Sequence, residues 1–210
     1  MIDLFKKTVK TEAELRAILG YPSELVKNKV VNIIDNHIKD FVAKSPLIFI
    51  STSNNEGKCD ISPRGDSQGF VEIINEKHLI IPERIGNKKC DSLLNIISNS
   101  QIGIIFIIPG LNETLRINGK AIITNDEDLL QKHAVNGKCP NLGIVVEVEE
   151  CFIHCAKAFM RSSIWDHNTW LAKNELPIAS KILKDHVNME LFSEAKIADL
   201  LKESYTQRLY

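Results

Sequence analysis

The sequence contains no long apolar run and no excess of charge of either sign. The longest apolar stretch, Ile102 to Pro109, is too short to span a bilayer, so we expect no membrane-spanning segment and no membrane partner. The 26 Lys and Arg residues nearly balance the 27 Asp and Glu residues. Because proteins that bind nucleic acids usually carry a basic excess, we expect no nucleic-acid partner. The segment Met1–Lys6 has an acid where the apolar core of a signal peptide would begin, so no signal peptide is expected.

The cysteines and serines form no motif typical of a disulfide framework, a zinc site or a serine hydrolase. Five cysteines are an odd number in a chain of 210 residues, which argues against a disulfide framework and for a reducing cytoplasm. Cys151, His154 and Cys155 are close in sequence, but no Cys-x-x-Cys pair helps to supply the four ligands of a structural zinc site. We therefore interpret the cysteines as free thiols and predict no metal. No Gly-x-Ser-x-Gly sequence surrounds a serine, so no catalytic nucleophile is assigned.

The composition is that of an ordinary globular protein, and we predict one domain over 1–210. Apolar residues make up 44% of the chain and charged residues 25%, which is enough to build one hydrophobic core. Helices are predicted in 1–45, where Thr11 and Glu14 form a capping-box pattern and the apolar residues of Lys29 to Lys44 recur at helical spacing. Two more helices are predicted in an extension over 161–210, at Pro177 to His186 and Ser193 to Glu203.

Residues 46–160, between these helical parts, show the patterns typical of strands. Asn54 to Gly57 is a turn signal that joins the first two strands as a hairpin. Strands are predicted at Leu47 to Ser51, Lys58 to Ser62, Gly69 to Ile74, His78 to Ile81, Ile102 to Ile108, Glu113 to Thr124 and Gly143 to Phe152, and short helices at Asn87 to Ile97 and Asp126 to His133. Because closure removes exposed edges, we predict a mainly β (α+β) fold in which six or seven antiparallel strands form a small barrel with flanking helices.

Two cation-rich segments flank predicted strands and are suited to hold a phosphate group. Ser62 to Asp66 contains Arg64, and Arg84 to Lys89 contains three further cations around a glycine. Arginine supplies a planar fork, lysine a point charge, and a glycine turn supplies backbone N–H groups. Asn87 to Lys89 is also predicted to begin a helix, and a helix N-terminus favours anions. The alternative is that both segments are solvated, charged turns.

Two further segments are candidates for the same site. Thr114 to Gly119 places polar residues on a neighbouring predicted strand, and Arg161 precedes Trp165 by four residues. If this last segment reaches the phosphate-bearing ligand, Arg161 contacts that ligand and Trp165 forms a wall of the pocket. The alternative is that the tryptophan packs the C-terminal helices against the barrel.

These segments together resemble the pyridoxamine 5'-phosphate oxidase-like family of FMN-binding split-barrel proteins, and within it a bacterial subfamily of FMN-binding proteins. The likeness covers roughly the part of the chain from Ile33 to Trp170. The matching segments are Cys59 to Asp66, Ile81 to Lys89, Glu113 to Gly119 and His154 to Ala158, followed by Arg161-Ser162 and Trp165-Asp166. The resemblance implies a six-stranded antiparallel split barrel that forms a homodimer, with FMN bound in clefts between the subunits.

The resemblance also assigns roles to individual residues. Arg64 matches an arginine on the return strand of the first hairpin that reaches FMN, and Asn87 to Lys89 match a Ser-Arg-Lys type motif whose cations hold the phosphate. Thr114 and Arg116 match a strand beside the flavin. Lys88 stands where an arginine is usual, so it keeps the charge but loses the bidentate fork. The full set of implied cofactor-binding residues is Ser62, Arg64, Arg84, Asn87, Lys88, Lys89, Thr114, Arg116, Arg161 and Trp165.

The C-terminal segment departs from the vitamin B6 oxidases of this family. Those enzymes carry an Arg-x-His substrate motif there, whereas the segment here reads Ser204 to Tyr210 without such a pair. We therefore predict an FMN-dependent oxidoreductase that acts on another small molecule, with reduced nicotinamide as electron donor. A non-catalytic module that binds FMN or haem is the alternative, and a pyridoxamine or pyridoxine 5'-phosphate oxidase with an altered substrate grip is the third hypothesis.

Overall fold

The computed structural model describes residues 7–210, and its first helix begins at the predicted cap. The chain divides between Val31 and Asn32 into two units, the first of which contains α1 (Glu12–Leu19) and α2 (Glu24–Asn28). The Thr11 side chain accepts a hydrogen bond from the Glu14 N–H, and the Glu14 carboxylate accepts one from the Thr11 N–H, which confirms the predicted capping box. The segment Met1–Lys6, on which the signal-peptide prediction rests, lies outside the described residues.

The second unit consists of seven strands with helices before, between and after them. Its helices are α3 (Asn36–Lys44), α4 (Asp91–Ser98), α5 (Glu127–Leu130), α6 (Lys157–Ser162), α7 (Ala179–Val187) and α8 (Glu194–Gln207). Its strands are β1 (Leu47–Ser53), β2 (Cys59–Gly65), β3 (Glu72–Ile73), β4 (His78–Glu83), β5 (Gln101–Ile107), β6 (Thr114–Thr124) and β7 (Leu142–His154). Short 3-10 turns lie at Gln131–His133, His167–Thr169 and Lys173–Glu175.

All strand pairs are antiparallel, and the strands follow the order β2-β1-β5-β6-β7-β4-β3 in one sheet. The predicted class, mainly β with flanking helices, is confirmed. The structure has all seven predicted strands, one more than the six that the family resemblance implies, and the strand predicted at Gly69 to Ile74 is only the two-residue β3, which pairs with β4. The backbone ladder leaves β2 and β3 as edges, so hydrogen bonds between strands do not close the sheet. Pro63 lies on the edge strand β2, where its missing N–H costs no ladder bond.

One face of the sheet forms the core. Alternate residues of the central strands are buried, for example Ile48 and Ile50 on β1 and Ile104 and Phe106 on β5. Helix α4 covers part of this face with Leu93 and Ile96, and α3 contributes Ile38 and Val42 four residues apart. Burial of each such side chain stabilises the fold by about 1.5–3 kcal/mol.

The prediction of one helix from Lys29 to Lys44 is wrong in its first part. Helix α3 begins at Asn36, because the Asp35 carboxylate accepts a hydrogen bond from the Ile38 N–H at 2.9 Å and caps the helix there. Apolar spacing continues upstream of this cap without a helix. The periodicity therefore predicted the helix but not its start.

The cysteine expected on the last strand is a core residue. Cys151 is buried, and its thiol donates a hydrogen bond to the Ile33 carbonyl oxygen at 3.1 Å. Burial raises the pKa of this thiol to about 11, so it stays protonated at neutral pH and is unsuited to bind a metal ion. Within residues 7–210 no group of three His, Cys, Asp or Glu side chains is arranged for a metal ion, and no helix is long and apolar enough to cross a membrane.

Candidate functional site

Two ion pairs join the end of β2 to the end of β4. Arg64 Nε donates to Glu83 Oε2 at 2.9 Å, and Arg84 Nε donates to Asp66 Oδ2 at 2.7 Å. In the sheet these strands are far apart, since β2 is one edge and β4 lies next to the other. The sheet must therefore curl until the two strand ends meet, and side chains rather than backbone hydrogen bonds connect them.

A cleft of about 530 Å³ lies beside this junction. Its volume falls within the range of about 300–1,000 Å³ that is usual for ligand and cofactor sites. Six of the ten residues that the sequence nominates line it: Ser62, Arg64, Arg84, Asn87, Lys88 and Lys89. The curl of the sheet thus brings the two cation-rich segments of the sequence into one cleft.

The charge of the lining side chains favours an anionic ligand. Five cations line the cleft, namely Arg64, Arg84, Lys88, Lys89 and Lys138, against the two carboxylates of Glu83 and Asp91. A concave site lined mostly by one sign of charge concentrates ligands of the opposite sign. Lys138 was missed by the sequence analysis, because it lies in a loop far along the chain from the other four cations and belongs to no motif.

These cations differ in how far their charge is already compensated. Arg64 and Arg84 are each paired with a carboxylate, and so is Lys89, whose Nζ lies 2.7 Å from Asp91 Oδ2. The hydrogen bond to Asp91 raises the pKa of Lys89. Lys138 donates from Nζ to the main-chain oxygen of Tyr210 at 2.9 Å. The ammonium of Lys88 makes no hydrogen bond or ion pair with any residue in the range 7–210, so the charge of Lys88 is uncompensated and available to a ligand.

The loop that carries Lys88 is not the helix start that the sequence predicts. Lys88 and Cys90 have φ angles of 61° and 60°, in the left-handed region, so neither belongs to a right-handed helix. The Asn87 side chain accepts a hydrogen bond from the Lys89 N–H, and α4 begins only at Asp91. The expected helix from Asn87 is therefore wrong in its first four residues. Non-glycine residues in this region cost free energy and are found preferentially at functional sites.

Tyr210 forms part of the cleft wall and contacts two neighbouring segments. Its hydroxyl donates to Asp66 Oδ1 at 2.9 Å, and the Arg84 guanidinium lies 5.7 Å from the centroid of its ring. Arg84 also donates to the His133 carbonyl oxygen at 2.8 Å. Burial opposes ionisation of Asp66, but hydrogen bonds from Ser67, Tyr210 and Arg84 outweigh it and lower the pKa of the carboxyl. No sequence pattern indicates this contact, since Tyr210 and Asp66 are 144 residues apart.

Acidification is expected to destabilise the protein through Asp66. Its ordinary pKa is 3.8 and its pKa in the folded state is lower, so folding favours the ionised form. The resulting stabilisation is fully present above about pH 4 and is lost as the pH falls through the folded-state pKa. Asp66→Asn should therefore flatten the fall in the free energy of unfolding below about pH 4, which urea titrations at several pH values measure.

Asp40→Asn is the control for that experiment, because it removes an exposed carboxylate on α3 that pairs with Lys44 at the surface. If the free energy of unfolding of both variants falls as steeply below about pH 4 as that of the wild-type protein, Asp66 is not the group that causes the acid destabilisation.

The other four nominated residues do not line the cleft. Thr114 is buried at the start of β6, and the Arg116 guanidinium lies 5.5 Å from the ring centroid of Phe152. Arg161 is exposed in the last turn of α6. Trp165 donates from Nε1 to the Leu111 carbonyl oxygen at 3.0 Å, so within this subunit it packs the segment after α6 onto the β5–β6 turn.

Comparisons with known proteins found several similar solved structures. The chain is similar to the solved structure of HupZ from Group A Streptococcus, with 21% identity over 57% of this chain and 93% of that one and a TM-score of 0.48. It is similar to a candidate pyridoxamine 5'-phosphate oxidase from Lactobacillus delbrueckii, with 19% identity, coverage of 58% and 95%, and a TM-score of 0.47. It is also similar to an FMN-binding protein from Syntrophomonas wolfei, with 9% identity, coverage of 58% and 89%, and a TM-score of 0.44.

No curated protein matches the sequence. The family model described as pyridoxamine 5'-phosphate oxidase matches residues 34–155, which include all seven strands and most of the cleft. That match spans more than half of the chain and confirms the resemblance noted from the motifs. The chain belongs to the pyridoxamine 5'-phosphate oxidase family.

Proposed function

We propose that the cleft binds FMN and that the protein is a flavin-dependent oxidoreductase. The observation that carries the proposal is the gathering of six nominated residues around one cleft with an excess of cations. Its volume suits a cofactor, and its lining supplies charged N–H donors for a phosphate group. When bound, FMN would supply the electron-transfer chemistry, while the protein positions it and excludes competing reactions.

Lys88 and Lys138 are the proposed phosphate ligands. Both are point charges on flexible stems, and Lys88 has no ion pair to give up when it receives an anion. Arg64 and Arg84 are held by Glu83 and Asp66, so their proposed role is to shape the cleft and present their remaining N–H groups to the ligand.

The proposed reaction takes electrons from a reduced nicotinamide and passes them to a small-molecule acceptor. The five free cysteines support a reducing cytoplasm as the compartment. Anaerobic addition of NADPH to the FMN-loaded protein tests the donor, because reduction bleaches the visible flavin band. Bleaching followed by turnover with an acceptor supports an enzyme, whereas an unchanged spectrum with NADH and NADPH favours the non-catalytic module.

We also propose that the protein is a homodimer with FMN at the interface. The outward face of the sheet carries a cross-strand row of Pro63, Phe49, Ile105, Arg116 and Phe152, and Pro63 also lines the cleft. A second subunit seated on this row would cover partly exposed apolar side chains and bring its own Arg116 toward the cleft. Light scattering should give twice the chain mass, and a monomer at micromolar concentration with FMN present would contradict the proposal.

Lys88→Ala is expected to raise the Kd for FMN about tenfold, because it removes an uncompensated charge from the phosphate site. Riboflavin has no phosphate, so its Kd should stay unchanged. Quenching of flavin fluorescence on titration with protein measures both constants. The matched control is Lys89→Ala, which removes a lysine already paired with Asp91 and should weaken FMN binding less.

The same titration decides whether the proposed function stands. Absence of FMN binding to the wild-type protein at micromolar concentration would end it. If Lys88→Ala instead weakens the binding of FMN and riboflavin equally, Lys88 does not bind the phosphate.

A further inference from the structure

Two serine hydroxyls in the cleft share one carboxylate oxygen. Ser62 Oγ lies 2.8 Å and Ser92 Oγ 2.5 Å from Asp60 Oδ2, and both serines line the cleft. Strand alternation places Asp60, Ser62 and Arg64 on the same side of β2, facing α4 and the cleft. Ser92 lies in the first turn of α4 and is 2% exposed, which holds its hydroxyl in place.

This arrangement fixes the direction of the hydrogen bonds. An ionised carboxylate only accepts hydrogen bonds, and a serine hydroxyl has a single proton to donate. Both protons are therefore committed to Asp60, in charge-assisted bonds of the short length expected for O–H···O⁻ contacts. Toward the cleft, Ser62 and Ser92 offer only lone pairs.

Lone pairs do not bind a phosphate group, whose oxygens are themselves acceptors. They bind hydroxyl or N–H donors. The cleft therefore contains two kinds of binding group: ammonium donors on Lys88 and Lys138, and hydroxyl acceptors on Ser62 and Ser92. FMN carries both complements, a phosphate and a polyol chain.

We propose that Asp60 is a specificity-determining positioning residue that orients Ser62 and Ser92 as acceptors for the hydroxyl groups of a polyol-bearing ligand. The inference rests on the proposed function and deepens it, since it assigns the ribityl chain of FMN to the serines and the phosphate to the lysines. It also changes the role of Ser62, which the sequence analysis placed among the cofactor-binding residues without a preferred partner.

Three flavins separate the two kinds of contact. Lumiflavin has neither polyol nor phosphate, riboflavin has the polyol alone, and FMN has both. The ratio of the lumiflavin Kd to the riboflavin Kd reports recognition of the polyol, and the ratio of the riboflavin Kd to the FMN Kd reports recognition of the phosphate. Both ratios come from the same fluorescence titration of the full chain.

Asp60→Asn is nearly isosteric but supplies an amide N–H that competes for the serine oxygens. We expect it to lower the lumiflavin-to-riboflavin ratio about three- to tenfold, the loss typical of one or two neutral hydrogen bonds, and to leave the riboflavin-to-FMN ratio unchanged. Lys88→Ala should instead lower the riboflavin-to-FMN ratio and leave the lumiflavin-to-riboflavin ratio unchanged. Asp40→Asn, on the surface of α3, is the control for loss of one carboxylate and should change neither ratio.

A uniform loss of affinity for all three flavins in Asp60→Asn would make Asp60 a merely structural residue and overturn the inference while leaving FMN binding intact. Failure of the wild-type protein to bind FMN would instead overturn the proposed function, and the inference with it. If Asp60→Asn does not fold, as judged by circular dichroism, Ser62→Ala on the edge strand β2 takes its place. It should lower the lumiflavin-to-riboflavin ratio, and an unchanged ratio would overturn the inference.

Discussion

Replacing Arg84 with methionine is expected to lower the free energy of unfolding by about 3 kcal/mol. The Asp66 side chain is 3% exposed, and Arg84 supplies its only charged partner at 2.7 Å among residues 7–210. Removing one member of a buried ion pair typically costs about 3–5 kcal/mol, because the other charge stays buried without compensation. The low end applies here, because Arg84 is itself 19% exposed and Asp66 keeps hydrogen bonds from Ser67 and Tyr210.

A double-mutant cycle tests whether the loss comes from the orphaned charge. Asp66→Asn in the Arg84→Met background removes the buried charge, so it should recover part of the stability that Arg84→Met loses. Urea unfolding followed by circular dichroism measures each corner of the cycle, provided that the m-value stays constant.

The matched control is Lys44→Met. Lys44 and Asp40 form an ion pair on α3 whose side chains are 59% and 65% exposed, so its loss should cost less than about 1 kcal/mol. If Arg84→Met costs no more than Lys44→Met, the junction between β2 and β4 does not depend on the Arg84–Asp66 pair.

The strands were predictable because their evidence is local. Side chains of a strand alternate between the two faces of a sheet, so a pattern such as that of Leu47 to Ser51 indicates a half-buried strand without knowledge of its neighbours. The turn at Asn54 to Gly57 is equally local and sets the register in which Ser53 faces Cys59. These features gave the fold class and the hairpin that carries Ser62 and Arg64.

The starts of the helices and the partners of the cations were not predictable in this way. Nothing in the composition indicates a left-handed φ at a lysine and a cysteine. The predicted helix therefore began at Asn87, four residues before α4. Arg64 pairs with Glu83 only because the sheet curls, and the curl follows from the packing of all seven strands. The sequence therefore indicated which cations could bind a phosphate. It did not indicate which of these cations are paired with a carboxylate in the folded protein.

The residues nominated from the β6 motif mark a different limit. Thr114 and Arg116 belong to a motif that the family resemblance placed beside a flavin, yet in this subunit neither lines the cleft. A motif records that residues occur together in a family and does not state which subunit they act in. Their contact with a cofactor depends on the proposed dimer, so it stays a prediction.

Gly119→Ala is expected to lower the free energy of unfolding by about 3 kcal/mol, at the upper end of the usual cost of overpacking. The register between β6 and β7 shifts between Asn118 and Gly119, which leaves Glu149 as the extra residue of a β-bulge. A Cβ atom on Gly119 would lie 2.0 Å from the Glu147 carbonyl oxygen and 3.3 Å from the Glu149 nitrogen. Both are main-chain atoms of β7, so no side-chain rotation relieves the clash.

Gly86→Ala is the matched control, because a Cβ there meets no atom within 4 Å and its φ lies outside the left-handed region. It should be neutral or slightly stabilising, since alanine restricts the unfolded chain. Urea unfolding compares the two variants, and equal stability would mean that the bulge yields without cost. A large loss of stability in Gly119→Ala but not in Gly86→Ala would mean that the close approach of β6 and β7 requires a glycine at this position. The glycine of the Thr114 to Gly119 motif would then need no contact with a cofactor to explain it.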